Sequence, residues 1–206
     1  MNSNNLNNKK QIRKIVEIGV FSALSIVLYY IRFPLPFFPS FLQVQFSNLP
    51  IIIYGLSMGA KSAMLILLIK TLIGAIFSFG ESYAVGELAD LLIGTAVVLT
   101  TSLIYNRDRT KKNGIIALVF GMFAWIITSF LVNYFIVIRI YIIIYFKNSV
   151  EAFVGACSII PGINTSNYLI RYCLLAALPF NALLSFTVSL VTFLVFKRVN
   201  IILKDK

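Results

Sequence analysis

The sequence predicts an all-α integral membrane protein of six transmembrane helices with both termini cytoplasmic. Three observations predict it. Of the 206 residues, 59% are hydrophobic and only 12% charged, whereas a soluble domain carries about 25% charge, so this chain lacks the polar surface to face water on all sides. The apolar residues fall in long runs without the polar stripe of a soluble helix. Several of these runs approach the ~20 residues that a helix needs to cross a ~30 Å hydrocarbon core. The basic residues gather in short clusters between the runs, which is a topogenic pattern. The length suits one transmembrane domain, residues 1–206, with the Asn-rich residues 1–10 as a mobile polar tail.

The same counts exclude several classes of function. A net charge of +11 would suit a nucleic-acid binder, but the apolar bulk leaves no soluble basic face. There is no His, which removes the commonest general base and any Ser-His-Asp triad. Cys157 and Cys173 stand far apart with no CxxC, so free thiols are expected, with no structural metal and no cofactor. No G-x-x-x-x-G-K-[ST] occurs, so the chain cannot drive transport with ATP by itself.

The first span runs from about Ile12 to Ile31. No small-residue cleavage site follows it, so it reads as a retained helix and not a signal peptide. Gly19 and Ala23, four apart, share one face where another helix can approach closely. That helix belongs either to a partner or to the same chain. Pro34, Pro36 and Pro39 make residues 32–48 an ordered loop. The second span, Leu49 to Met58, is too short to cross, and its start must face a cavity because unpaired backbone groups do not face lipid. A tight turn at Gly59-Ala60-Lys61 leads to the third span, Ser62 to Phe79. Lys70 lies inside it and is expected to face inward.

The fourth span, Glu87 to Tyr105, opens on Glu87 and Asp90. These carboxylates suit a helix N-terminus, or else point into the mouth formed by Gln45 and Asn48. The fifth span runs from Gly114 to Ile138 with Asn133 near its end, and residues 139–172 read as a long outer loop with some helix. The sixth span, Leu174 to Phe196, is interrupted at Pro179-Phe180-Asn181. The positive-inside rule then places the N-terminal basic run, Lys61, the 107–112 cluster and the C-terminal run in the cytoplasm.

In this topology Gln45 and Asn48, Glu87 and Asp90, Asn133, Asn164 and Asn181 all fall on the outer side. Together with Lys70 they form the candidate substrate-binding set. Polar groups inside a membrane are costly and usually serve a ligand or each other. Amides pair donors with acceptors, which suits a neutral polar ring with imide or hydroxyl edges, and Phe46, Tyr54, Tyr83 and Phe180 are candidates to stack on it.

The segments FLQVQFSNLP, GLSMGAKSA, LLIKTLI, GELADLLIG, NYF and LPFNALLSF occur in this order over nearly the whole chain. In these the chain resembles the substrate-specific S components of energy-coupling factor (ECF) vitamin transporters, within them the riboflavin-binding group. The resemblance implies capture of a vitamin, riboflavin first, from outside the cell. It also implies assembly with a transmembrane coupling subunit and two cytoplasmic ATPase subunits, which Gly19 and Ala23 would contact through the first helix. Glu87, Asn133 and Asn181 match polar positions of the riboflavin pocket. Three positions depart: Gln45 and Asn48 stand where acidic residues are often found, and Leu184 where the riboflavin group usually has Lys. An S component for hydroxymethylpyrimidine, folate or a similar nutrient is the alternative within the family. A small membrane enzyme or a ligand-free assembly protein is the alternative outside it.

Overall fold

The computed structural model describes residues 3–82 and 84–204, by backbone alone at 3–6, 78–82, 200 and 202–204. Its centre is a short helix, α2 (Asn48–Met58), buried continuously from Ile51 to Ser57. An apolar helix with no polar face can only be covered on all sides, and α2 is packed by α1 (Ser3–Tyr30), α3 (Ala60–Ser82), α4 (Val85–Arg107) and α9 (Leu178–Lys204). Pro50 stands in its first turn, where the missing N–H has no intrahelical partner to lose. Gly55 permits the close crossing: a Cβ there would lie 2.5 Å from Ser102 Oγ and 3.1 Å from Ala63 Cβ. Gly59 makes the turn into α3 with φ +94°, a conformation costly for any residue with a Cβ, and returns its N–H to the Gly55 carbonyl.

Around α2 the helices form an arc in which α1 packs on α3, α3 on α4, α4 on α5 (Lys111–Val132), and α5 on α9. A two-stranded ribbon, β1 (Phe33–Pro34) antiparallel to β2 (Gln43–Val44), joins α1 to α2. Among the described residues, four segments are long and apolar enough to cross a membrane: 60–77, 85–107, 111–144 and 168–199. Their outer faces carry exposed Leu72, Ile76, Phe120, Ile127 and Leu194, a surface suited to lipid. Of the other two expected spans, α2 is short, and α1 carries Arg13, Lys14 and Glu17 ahead of its apolar part.

Helix α1 begins at Ser3 and so includes polar residues ahead of the first apolar run, since extending an existing helix needs no new nucleus. The backbone departs from the sequence expectation in two places. The segment beginning at Arg139 is not loop at first. A π-turn at Asn133–Val137 leads into α6 (Ile138–Ile144), making one apolar run of 34 residues. Pro179 does not interrupt the last span. It lacks the N–H that would bond the carbonyl four residues back, and a π-turn at Cys173–Ala177 lies directly before it, between α8 (Tyr168–Tyr172) and α9. The one short helix between these runs is α7 (Val150–Ala156), whose N-terminus Ser149 caps by accepting the Ala152 N–H at 3.1 Å.

Candidate ligand cavity

A cavity with a water-accessible volume of about 140 Å3 lies where the ribbon, the start of α4, the π-turn after α5 and the start of α9 meet. Its polar lining is Gln43, Gln45, Asp90, Asn133 and Asn181, with the Trp125 indole. Its apolar walls include Phe41, Tyr141, Phe153, Tyr172, Phe180 and Leu184. Phe41 reaches from the ribbon loop into an aromatic cluster, stacked on Tyr172 at 5.9 Å between centroids and tilted toward Tyr141 at 5.7 Å and Phe153 at 6.2 Å. Phe38 meets Phe180 edge-on at 5.4 Å. The loop after β1 is therefore anchored over the cavity by its aromatic side chains.

The two cavity asparagines are held alike. Asn133 Nδ2 donates to the Ser129 carbonyl and Asn181 Nδ2 to the Ala177 carbonyl, each 2.8 Å and four residues back. This fixes the amide plane and spends one donor on the helix itself. Asn181 Oδ1 accepts from Trp125 Nε1 at 3.0 Å, tying α9 to α5. Asn133 Oδ1 has no such partner among the described residues, so acceptor capacity is left at the wall.

Asn48, Lys70 and Glu87 stand behind the cavity. Asn48 Nδ2 donates to Asp90 Oδ1 at 2.7 Å, and the Lys70 ammonium pairs with Asp90 Oδ2. Lys70, 2% exposed, also lies over the Tyr29 ring at 5.5 Å. The Tyr29 hydroxyl donates to Glu87 Oε1. Asp90 is the one member of this network that reaches the cavity wall, so the network positions a carboxylate whose charge is compensated from behind. Attraction in a medium of low dielectric offsets the desolvation of such a pair only where further hydrogen bonds complete it, and Asn48 supplies one.

The seven expected binding residues thus divide. Gln45, Asn133 and Asn181 line the cavity, and Asn48 and Lys70 buttress Asp90. Glu87 is bound to Tyr29, and Asn164 is elsewhere. Asn164 sits in the exposed turn after Pro161-Gly162, where its Oδ1 accepts the Ser166 and Asn167 N–H groups, both at 3.0 Å. An Asn in such a turn satisfies its own backbone, which corrects its expected place in the pocket. Of the candidate stacking rings only Phe180 lines the cavity. Tyr54 is buried against Phe21 and donates to Glu17 Oε2 at 3.3 Å, Phe46 packs in the core beside α2, and Tyr83 lies outside the described residues. The sequence reading missed Trp125, Tyr141, Phe153 and Tyr172, because an aromatic residue in an apolar run looks the same whether it faces lipid or ligand.

Gly19 and Ala23 lie on the outward face of α1. Among the described residues no atom comes within 4 Å of a Cβ built at Gly19, and Ala23 is exposed. The exposed side chains of Val16, Val20 and Val27 flank them. Packing within the chain therefore does not account for this small-residue pair.

A sequence model described as "ECF transporter, substrate-specific component" matches residues 13–196. The chain is 28% identical to the riboflavin transporter RibU of Staphylococcus aureus (strain TCH60) over 204 residues, 99% of both chains. It is 26% identical to the riboflavin transporter FmnP of Bacillus subtilis (strain 168) over 132 residues, 64% of this chain and 70% of that one. A solved structure titled "Structure and mechanism of the S component of a bacterial ECF transporter" superposes with a TM-score of 0.72 at 27% identity, covering 94% of this chain and 99% of the other. With four segments able to cross a bilayer, this is a multi-pass protein of the cell membrane. It belongs to the family of substrate-specific components of ECF transporters.

Proposed function

We propose that this chain captures riboflavin from outside the cell and delivers it by assembling with a transmembrane coupling subunit and two cytoplasmic ATPase subunits. The observation that carries the ligand is the cavity: two fixed asparagine amides and a compensated Asp90 beside aromatic walls. A flat heteroaromatic ring with an imide edge matches that combination, stacking on the rings and exchanging hydrogen bonds with amide and carboxylate. The relatives named riboflavin transporters support the same ligand. The ribbon and the segment 145–167 act as the cover, with Phe41 as its anchor. Six spans, counting α1 and α2, leave both termini in the cytoplasm. The outward Gly19–Ala23 face is the contact for the coupling subunit. The chain acts as a binding subunit and not as an enzyme.

Leu184 favours a second reading. It lines the cavity where the resemblance leads to a Lys, so one edge of the ligand meets no cation. An S component for a different small nutrient would use this apolar wall directly. The absorbance spectrum of the detergent-purified protein, with titration of riboflavin fluorescence, decides between them. Flavin bands with stoichiometric quenching support riboflavin. A colourless protein that leaves the fluorescence unchanged rejects it, and mass spectrometry of the released ligand then identifies the nutrient.

A further inference from the structure

A second cleft, of about 600 Å3, opens at the far end of α2 from the ligand cavity, among the α2–α3 turn, the end of α4 and Lys14 of α1. Four cations line it: Lys14, Lys61, Arg107 and Arg109. None of the four is in a salt bridge among the described residues, and Arg109 donates to Asn106 Oδ1 at 2.6 Å. The first residues of α3, Ala60 to Ser62, form one wall, and the opening N–H groups of a helix have no carbonyl partner within it. On the α4 wall Asn106 is already engaged, its Nδ2 donating to the Ser102 carbonyl at 2.7 Å and to the Gly55 carbonyl at 3.5 Å, and the Ser102 hydroxyl is sealed against Gly55 in the α2–α4 crossing. The free groups of the cleft are therefore its cations and the start of α3.

This inventory of donors and cations defines an anion site. Its lining also contains Leu103, 59% exposed, and Met58, 36% exposed, on the surface that the apolar spans present to lipid. An anion that brings its own apolar chain fits both halves. We propose that the cleft binds the phosphate of an anionic phospholipid, held by Lys61, Arg107 and the opening N–H groups of α3, with the acyl chains along Leu103.

The test uses the full chain, delipidated in a neutral detergent, with phosphatidylglycerol, phosphatidylcholine and inorganic phosphate as probes. Thermal unfolding is followed against probe concentration, with native mass spectrometry of the retained lipid. Phosphatidylglycerol is expected to raise the melting temperature at concentrations where the other two do not. Lys61→Gln combined with Arg107→Gln is expected to weaken its half-saturation about tenfold or more, the loss of one hydrogen bond to a charged group being sufficient. Lys61 and Arg107 are exposed, so their replacement leaves packing intact. Equal response to phosphatidylcholine, or an unchanged response in the variant, overturns the site. A matching shift with inorganic phosphate at the same concentration overturns the lipid as its source.

Discussion

Lys70→Met removes the cation that compensates Asp90 while keeping an unbranched side chain of similar length. The consequence follows from burial: Lys70 is 2% exposed, Asp90 8%, and the carboxylate keeps only the Asn48 amide as partner. Removing one member of a buried pair costs about 3–5 kcal/mol, since the other charge is left uncompensated. A chain of this size loses about 2–4 °C of melting temperature per kcal/mol, so the variant should melt ~6–20 °C lower. Lys70→Met with Asp90→Asn removes both charges and should recover most of that loss, a coupling that a double-mutant cycle measures directly. The assay is thermal unfolding of the four proteins in one detergent. If Lys70→Met melts with the parent, or the double variant falls by the sum of the single losses, Lys70 does not serve to compensate Asp90 and the account of the buried network is wrong.

The remaining predictions concern the cavity, the outer face and the loop. Asn181→Ala should weaken riboflavin binding by about 1–3 kcal/mol, roughly fivefold to more than a hundredfold, because it removes a fixed amide and leaves the Trp125 indole without its acceptor; fluorescence titration at parent affinity would take Asn181 out of the site. Gly19→Leu should leave that titration unchanged while reducing co-purification of the coupling subunit and uptake in cells, since nothing in the chain itself packs on Gly19; loss of binding with assembly intact would remove α1 as the contact. Cys157 is fully buried outside the spans, and burial pushes its thiol up to about 12. A raised thiol stays protonated across pH 7–9, so labelling by maleimide should be slow there and rise only when the protein is unfolded; prompt labelling in the folded state would show that the α7 loop opens.

Much of the fold was legible because the features that carry it are local. The turn at Gly59 and the shortness of α2 are written in adjacent residues. The length of the fifth run was not, because Arg139 looks like the end of a span. In the structure Arg139 is exposed, and at ~1.5 Å per residue it lies ~42 Å along the helix from Lys111, past a ~30 Å hydrocarbon core. A charge there has reached polar surroundings and need not stop the helix. Asn164 was misread for the opposite reason: a polar residue next to Pro-Gly has a local use that competes with any ligand.

The partners of the intramembrane polar groups separate the site into two working halves. Asn133 and Asn181 bond first to their own helices, one turn back, and this holds them rigid while they face the cavity. Asn48, Lys70 and Glu87 bond to other helices: α2 and α3 to α4 through Asp90, and α4 to α1 through Tyr29. The second kind crosslinks the half of the bundle that carries the Gly19 face, and Asp90 extends that half to the cavity wall. The ribbon, α7 and α8 are joined to the cavity by aromatic contacts centred on Phe41 and Phe153, each weaker than a buried ion pair. The cover can therefore separate without breaking any buried ion pair, while a displacement of α1 is transmitted to Asp90 through Tyr29 and Glu87. In the proposed function, ligand entry belongs to the aromatic half and coupling to the charged half.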